Sequence, residues 1–220
     1  MILSDTRIRE AIEGGRIVVR PYRPECLGTN SYDVHLGPYL ATYDDGALDA
    51  RKSNPITEVK MPKSGYVLVP GQLYLGVTEE YTETHGYVPF LEGKSSVGRL
   101  GIDIHSTAGK GDEGFCNYWT LEMSVKVPVR IYPGMPIGQL IYFEISGPIH
   151  RGYDTKASAK YRTVSPHPIP SRMFLNFRGA TPPADAGRSP RTGRTRAGPA
   201  GHGRGARRGR ARRPRARAAP

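Results

Sequence analysis

Residues 118–129 read YWTLEMSVKVPV, and the first eight alternate strictly in polarity after the leading tyrosine. Trp119, Leu121, Met123 and Val125 fall on one side of an extended chain, with Thr120, Glu122 and Ser124 on the other. A period of two marks a β-strand with one buried face. A helix would scatter those four apolar side chains around its circumference. Working outward, short β-branched and aromatic runs recur at Ile17–Val19, Ser31–Leu36, Tyr66–Val69, Leu73–Val77 and Ile137–Ile145. Turn pairs punctuate them at Gly37-Pro38, Asp45-Gly46, Pro70-Gly71 and Pro133-Gly134. Only residues 3–13 read as helix. Ser4 suits its N-cap, Asp5 the positive end of its dipole, and Ile8, Ala11 and Ile12 form an apolar stripe that Gly14-Gly15 ends. Many short strands at this spacing predict a mostly β sandwich or barrel rather than alternating βαβ units.

The chain has 220 residues, of which 37% are hydrophobic, enough for one core. Its formal charge of +12 is concentrated at one end. Residues 178–220 hold 13 arginines against one acid, Asp185, whereas residues 1–177 hold 19 basic and 19 acidic side chains. A neutral body excludes a folded module that coats phosphate with positive charge. The final 43 residues contain no Val, Ile, Leu, Met, Phe, Tyr, Trp or Cys and so have nothing to bury. The expected organisation is a folded domain at 1–177 and a disordered Arg/Ala/Gly/Pro-rich tail at 178–220. That tail reads either as an electrostatic arm for nucleic acid or an anionic surface, or as what a GC-rich frame yields when translated past its natural end or out of register.

No apolar run approaches the roughly 20 residues that cross a bilayer. The first ten residues carry Asp5, Arg7, Arg9 and Glu10 where a signal peptide would be apolar. Two cysteines, Cys26 and Cys116, make neither a disulfide framework nor a CxxC knuckle, and read as reduced thiols of a cytoplasmic protein.

Three stretches hold candidate chemistry. In Glu92–Gly101 (EGKSSVGRLG), three glycines permit close approach of the backbone, Ser95 or Ser96 suits the cap of a short helical turn, and Lys94 and Arg99 stand nearby. This is either a phosphate cradle or a capped turn with solvated charges. It lacks the earlier glycine of a Walker A loop. On the strand at 118–129, Glu122 is either a carboxylate on a wet sheet face or, if an oligomer or loop covers that face, a proton carrier. Between them, residues 105–114 form an open glycine-rich loop in which Asp112 suits a sugar hydroxyl and His105 reads as a packed strand histidine. The histidines show no metal-ligand spacing, and the His-x-Glu and Pro-Cys-x-x-Cys signature of zinc nucleobase deaminases is missing.

Read in order, these motifs resemble dCTP deaminase of the dUTPase-like superfamily. The resemblance is carried by Gly93–Gly101, His105-x-Thr107-Ala108, Asp112 and Leu121-Glu122. Asn30–Gly37 (NSYDVHLG), Pro133-Gly134-Met135, Ile137-Gly138, Tyr153 and Ala159-Lys160-Tyr161 extend it over residues 1 to about 172. It implies a distorted, jelly-roll-like β-barrel assembled as a homotrimer with active sites between subunits. It also implies zinc-free deamination at C4 of dCTP, with Mg²⁺ carried on the triphosphate and dTTP as a candidate feedback ligand. Residue by residue, Glu122 matches the general acid/base. Ser95, Ser96 and Arg99, with Lys94, Val97 and Gly98 in the same loop, match the contacts to phosphate and catalytic water. Ala108 matches a carbonyl that orients the water, Asp112 the contact to the 3′-hydroxyl, and Thr120 and Leu121 the base-reading strand. Tyr153 and Lys160 match a C-terminal segment closing over the triphosphate. Lys94 replaces the Arg of many members, and Val164 replaces a phosphate-contacting Gln.

The expected product is dUTP with ammonia. The first alternative is a dUTP diphosphatase, or a bifunctional enzyme giving dUMP, with Asp112 as the base for attack on phosphorus. The second is a nucleic-acid-binding protein acting through its basic tail.

Overall fold

The computed structural model describes residues 1–44 and 46–177; the expected tail at 178–220, and Asp45 of the expected turn, lie outside the described residues. Helix α1 spans Asp5–Glu13. The Ser4 hydroxyl accepts from the Arg7 N–H, the Gly14 N–H donates to the Glu10 carbonyl, and Ile8 and Ala11 are buried. The strands are β1 (Ile17–Arg20), β2 (Tyr32–His35), β3 (Tyr39–Tyr43), β4 (Ile56–Lys60), β5 (Tyr66–Leu68) and β6 (Tyr74–Thr84). After β7 (Tyr87–Gly93) comes a one-turn helix, α2 (Ser95–Gly98), followed by β8 (Ile102–Asp103), β9 (Cys116–Val125), β10 (Val129–Ile131) and β11 (Pro136–Glu144). Among the described residues no helix is long and apolar enough to cross a membrane.

The mostly β class and the short N-terminal helix are as expected. The pairings are antiparallel and form three sheets: β4-β3-β6-β9-β8 with β1 also on β6, the pair β10-β5, and β2-β11-β7. These sheets do not close into a single barrel, which corrects that detail of the expectation. The largest sheet ends on β8, only two residues long, and on β4, and these two edge strands do not pair with each other.

Strand β9 follows its sequence pattern. Trp119, Leu121, Met123 and Val125 are buried, while Thr120, Glu122 and Ser124 stay partly open. The inward face joins Tyr32, Leu36, Ile104, Leu140 and the α1 residues in one core.

Strand β6 runs seven residues beyond the apolar run that predicted it. Its register against β9 shifts between Val77 and Tyr81, and the continuation is masked in sequence by Glu79-Glu80. Glu80 is fully buried there, bonded to Arg23 at 2.8 Å and to His35 at 2.7 Å and 2.8 Å through ring and backbone nitrogens. Strand β7 escaped the sequence reading because Pro89 interrupts it; prolines are rare within ladders. His105 is packed but lies in the loop after β8 rather than in a strand, with Nδ1 buried and without a partner among the described residues.

Candidate functional site

The outward face of β9 forms the floor of a cleft of about 690 Å³, lined by Thr120, Glu122, Ala108, Asp112, Tyr153 and Lys160 among others. Six residues singled out in sequence, from three separate stretches, thus face one space. The Glu122 carboxylate accepts from the Ser106 N–H at 3.3 Å, which fixes it relative to the 105–112 loop.

That loop is held by its glycines. The Leu91 N–H donates to the Gly109 carbonyl at 2.7 Å and the Gly111 N–H to the Pro89 carbonyl at 2.8 Å, so the segment lies along the free edge of β7. A Cβ at Gly109 would stand 2.6 Å from the Leu91 oxygen, and one at Gly111 2.6 Å from the Trp119 ring. With both glycines turned inward, period-two geometry turns Lys110 and Asp112 outward together. Their charged groups meet at 2.6 Å on the cleft wall. The Leu121 side chain is wholly buried in the core, which leaves its backbone as the part of this residue not committed to packing.

The roof is the segment from Tyr153 to Arg172, and sequence reading missed the residue that anchors it. Asn117 is 1% exposed, and its side-chain amide donates to the carbonyls of Tyr161 and Thr163, each at 3.0 Å. Its oxygen accepts from the Ser165 N–H at 3.0 Å and from the Tyr118 N–H at 2.9 Å. One side chain therefore sets the position of three alternate roof residues. An Asn at an inward position of a strand carries no such signal, because its partners lie 44 to 48 residues away. The Ile169 N–H donates to the Thr120 hydroxyl at 3.1 Å, joining roof to floor at the position matched to base reading. Val164 is 52% exposed and does not line the cleft.

Asn117→Leu should release this roof. Each bond is worth about 1 kcal/mol, so losing two or three opens the segment more than about tenfold. Trypsin cleavage after Lys160 or Arg162 in the folded protein measures this. Cleavage at the wild-type rate would contradict the anchoring role.

The Glu92–Gly101 loop is arranged differently. Lys94, not a serine, occupies the N-cap of α2 and makes no side-chain cap bond; its ammonium is paired with Asp33 on β2. Val97 anchors the turn in the core, while Ser95, Ser96, Gly98 and Arg99 are exposed. None of residues 94–99 lines the cleft of the same chain, and Arg99 makes no ion pair among the described residues. The structure therefore presents two separate surfaces: a roofed cleft holding Glu122, and an outward loop bearing two hydroxyls and a guanidinium.

Comparison with known proteins gives concordant results. Residues 2–145 match the family described as dCTP deaminase-like. A relative from Cytophaga hutchinsonii is 46% identical over 162 residues, covering 74% of this chain and 91% of its own. Another, from Clostridium acetobutylicum, is 46% identical over 177 residues, covering 80% of this chain and 99% of its own. Both are named dCTP deaminase, dUMP-forming. Among solved structures, the 2′-deoxycytidine 5′-triphosphate deaminase of Agrobacterium tumefaciens is similar with a TM-score of 0.53 at 21% identity, covering 65% of this chain and 48% of that one. At that identity the likeness speaks to the fold.

Proposed function

Because this chain belongs to the dCTP deaminase-like family, we propose that it deaminates dCTP and releases dUMP and pyrophosphate from the same bound nucleotide. The sequence alone puts dUTP first as the product; the name shared by the two relatives favours dUMP. The observation that carries the reading is the position of Glu122, a partly shielded carboxylate on the floor of a roofed cleft beside Thr120, Ala108 and Asp112.

In the first step Glu122 takes a proton from water and the hydroxide oxygen bonds to C4 of the cytosine. The two water protons end on ring N3 and on the exocyclic nitrogen, which leaves as ammonia as its bond to C4 breaks. The Ala108 carbonyl orients the attacking water, and Thr120 reads the base edge. Asp112 accepts from the 3′-hydroxyl. In the second step another water displaces pyrophosphate at the α-phosphorus, and Asp112, held by Lys110, is the carboxylate available to receive its proton. Mg²⁺ accompanies the triphosphate as part of the substrate.

The triphosphate needs more positive charge than Lys160 and its neighbours supply. We assign that role to Ser95, Ser96 and Arg99 of a second copy in a homotrimer, which accounts for their exposure in a single chain. An arginine fork aimed at a polyanion suits this task better than the Lys94 ammonium, already committed to Asp33.

The test is to incubate the protein with dCTP and Mg²⁺ and follow ammonia, pyrophosphate and nucleotide together. Equal amounts of ammonia, pyrophosphate and dUMP support the proposal. Ammonia with accumulating dUTP would restrict the site to deamination, and the absence of both products would overturn the substrate assignment.

A further inference from the structure

Away from the cleft floor, at the far end of the β6–β9 pair, three side chains of different chemistry converge. Glu83 lies directly opposite Cys116 in the ladder, and His85 follows Glu83 by two residues. An opposed pair on neighbouring strands shares a face and brings its Cβ atoms to about 4.5–5.5 Å, so Glu83 and Cys116 point to the same side. His85, the first residue beyond β6, brings its ring back to them from the turn. Their ligand atoms lie within 4.8 Å of one another, and His85 Nε2 is 3.3 Å from a Glu83 oxygen. Bonds of about 2.0–2.3 Å to a tetrahedral ion put its ligands roughly 3.3–3.8 Å apart, so the carboxylate and imidazole already stand at that separation. The backbone beneath is fixed: the His85 N–H donates to the Arg16 carbonyl at 2.7 Å, and Gly86 turns the chain with φ +77°.

A second observation concerns charge. Glu113 and Asp154 crowd the same corner, each with an oxygen 2.7 Å from where a Cβ on Gly152 would stand, and neither makes an ion pair among the described residues. The Glu113 carboxylate accepts from the Gly86 N–H at 3.1 Å, which ties this acidic corner to the turn that carries His85. Glu83, Glu113 and Asp154 thus place three carboxylates around a thiol and an imidazole, and none of the three pairs with a lysine or arginine side chain among the described residues.

We propose that Glu83, His85 and Cys116 form a binding site for a divalent ion of the zinc class, with the fourth position taken by solvent. A thiolate–imidazole–carboxylate set selects zinc or cobalt over magnesium, which prefers oxygen ligands and octahedral geometry. On binding, the Cys116 thiol proton passes to solvent and a metal–sulfur bond forms. The ion joins the end of β6 to the start of β9, at the root of the loop that delivers Asp112 and Phe115 to the cleft. The site is separate from the proposed deamination chemistry and takes no part in it. It was invisible in sequence because the ligands come from the end of β6, the turn after it and the start of β9, with 30 residues between His85 and Cys116.

The test uses the full-length protein titrated with Co²⁺, followed by Zn²⁺ in competition. One equivalent of Co²⁺ should produce a thiolate-to-cobalt charge-transfer band in the near ultraviolet, which Zn²⁺ abolishes and a large excess of Mg²⁺ leaves unchanged. Cys116→Ser should remove the band, and the half-exposed His85→Gln, checked by circular dichroism for an intact fold, should weaken Co²⁺ binding at least tenfold. The inference is overturned if wild type gives no such band, or if the band survives Cys116→Ser and so belongs to Cys26. Binding that is indifferent to His85→Gln overturns it equally.

Discussion

Glu122→Gln is expected to lower ammonia release from dCTP by about 10²–10⁴-fold, the contribution typical of a positioned general acid/base. The change is nearly isosteric, and the glutamine oxygen still accepts the Ser106 N–H that Glu122 accepts now, so the cleft keeps its shape. What is lost is the ability to take and return a proton. Because attack at phosphorus is assigned to Asp112, the same variant supplied with dUTP should still release pyrophosphate. Ammonia and pyrophosphate measured on the same preparation separate the two outcomes. A Glu122→Gln protein that deaminates within about tenfold of wild type would remove Glu122 from the reaction.

Arg23→Met should be strongly destabilising, costing about 3–5 kcal/mol by leaving the buried Glu80 carboxylate without its cation. Arg23 bonds Glu79 at 2.6 Å and Glu80 at 2.8 Å, and these carboxylates hold its guanidinium above its ordinary pKa through the Glu79 hydrogen bond first. Methionine keeps much of the apolar stem and supplies no charge. Glu80, fully buried, is then left with His35 alone. The expected readout is a drop in the urea midpoint with an unchanged slope. The double variant Arg23→Met/Glu80→Gln should recover part of the loss, since the buried charge goes with its partner. A single-variant cost below about 1 kcal/mol would show that the two His35 bonds alone suffice for Glu80.

The parts of this molecule legible in its sequence are those set by local chemistry. The alternation of Trp119 to Val125 announced both the strand and the face on which Glu122 stands. Ser4 and Gly14 marked the ends of α1 because caps are local devices. Where contacts were distant, the signal failed. Glu79-Glu80 hid the second half of β6, since only Arg23 and His35, far away in the chain, make acids tolerable there. Pro89 hid β7, and the role of Asn117 depends on a roof more than 40 residues downstream. For the candidate site, alternation and residue type brought Asp112, Thr120 and Glu122 to attention, and the family resemblance added Ala108, Tyr153 and Lys160, before geometry gathered them. Residue type also does not reveal that the Lys94 ammonium is paired with Asp33 or that the Leu121 side chain is turned to the core.

The central claim is that each chain carries two incomplete halves, a cleft with Glu122 and an outward loop with Arg99, which become one site only when copies meet. Subunit mixing tests this directly. Glu122→Gln and Arg99→Ala proteins, each inactive in deamination, are unfolded, combined in equal amounts and refolded together. If Glu122 of one chain works with Arg99 of another, random assembly rebuilds about a quarter of the sites, each pairing an intact cleft with an intact loop from a neighbour. Ammonia release should then rise to about a quarter of the wild-type rate. A mixture no more active than its parents would mean that each chain completes its own site, and would contradict the account.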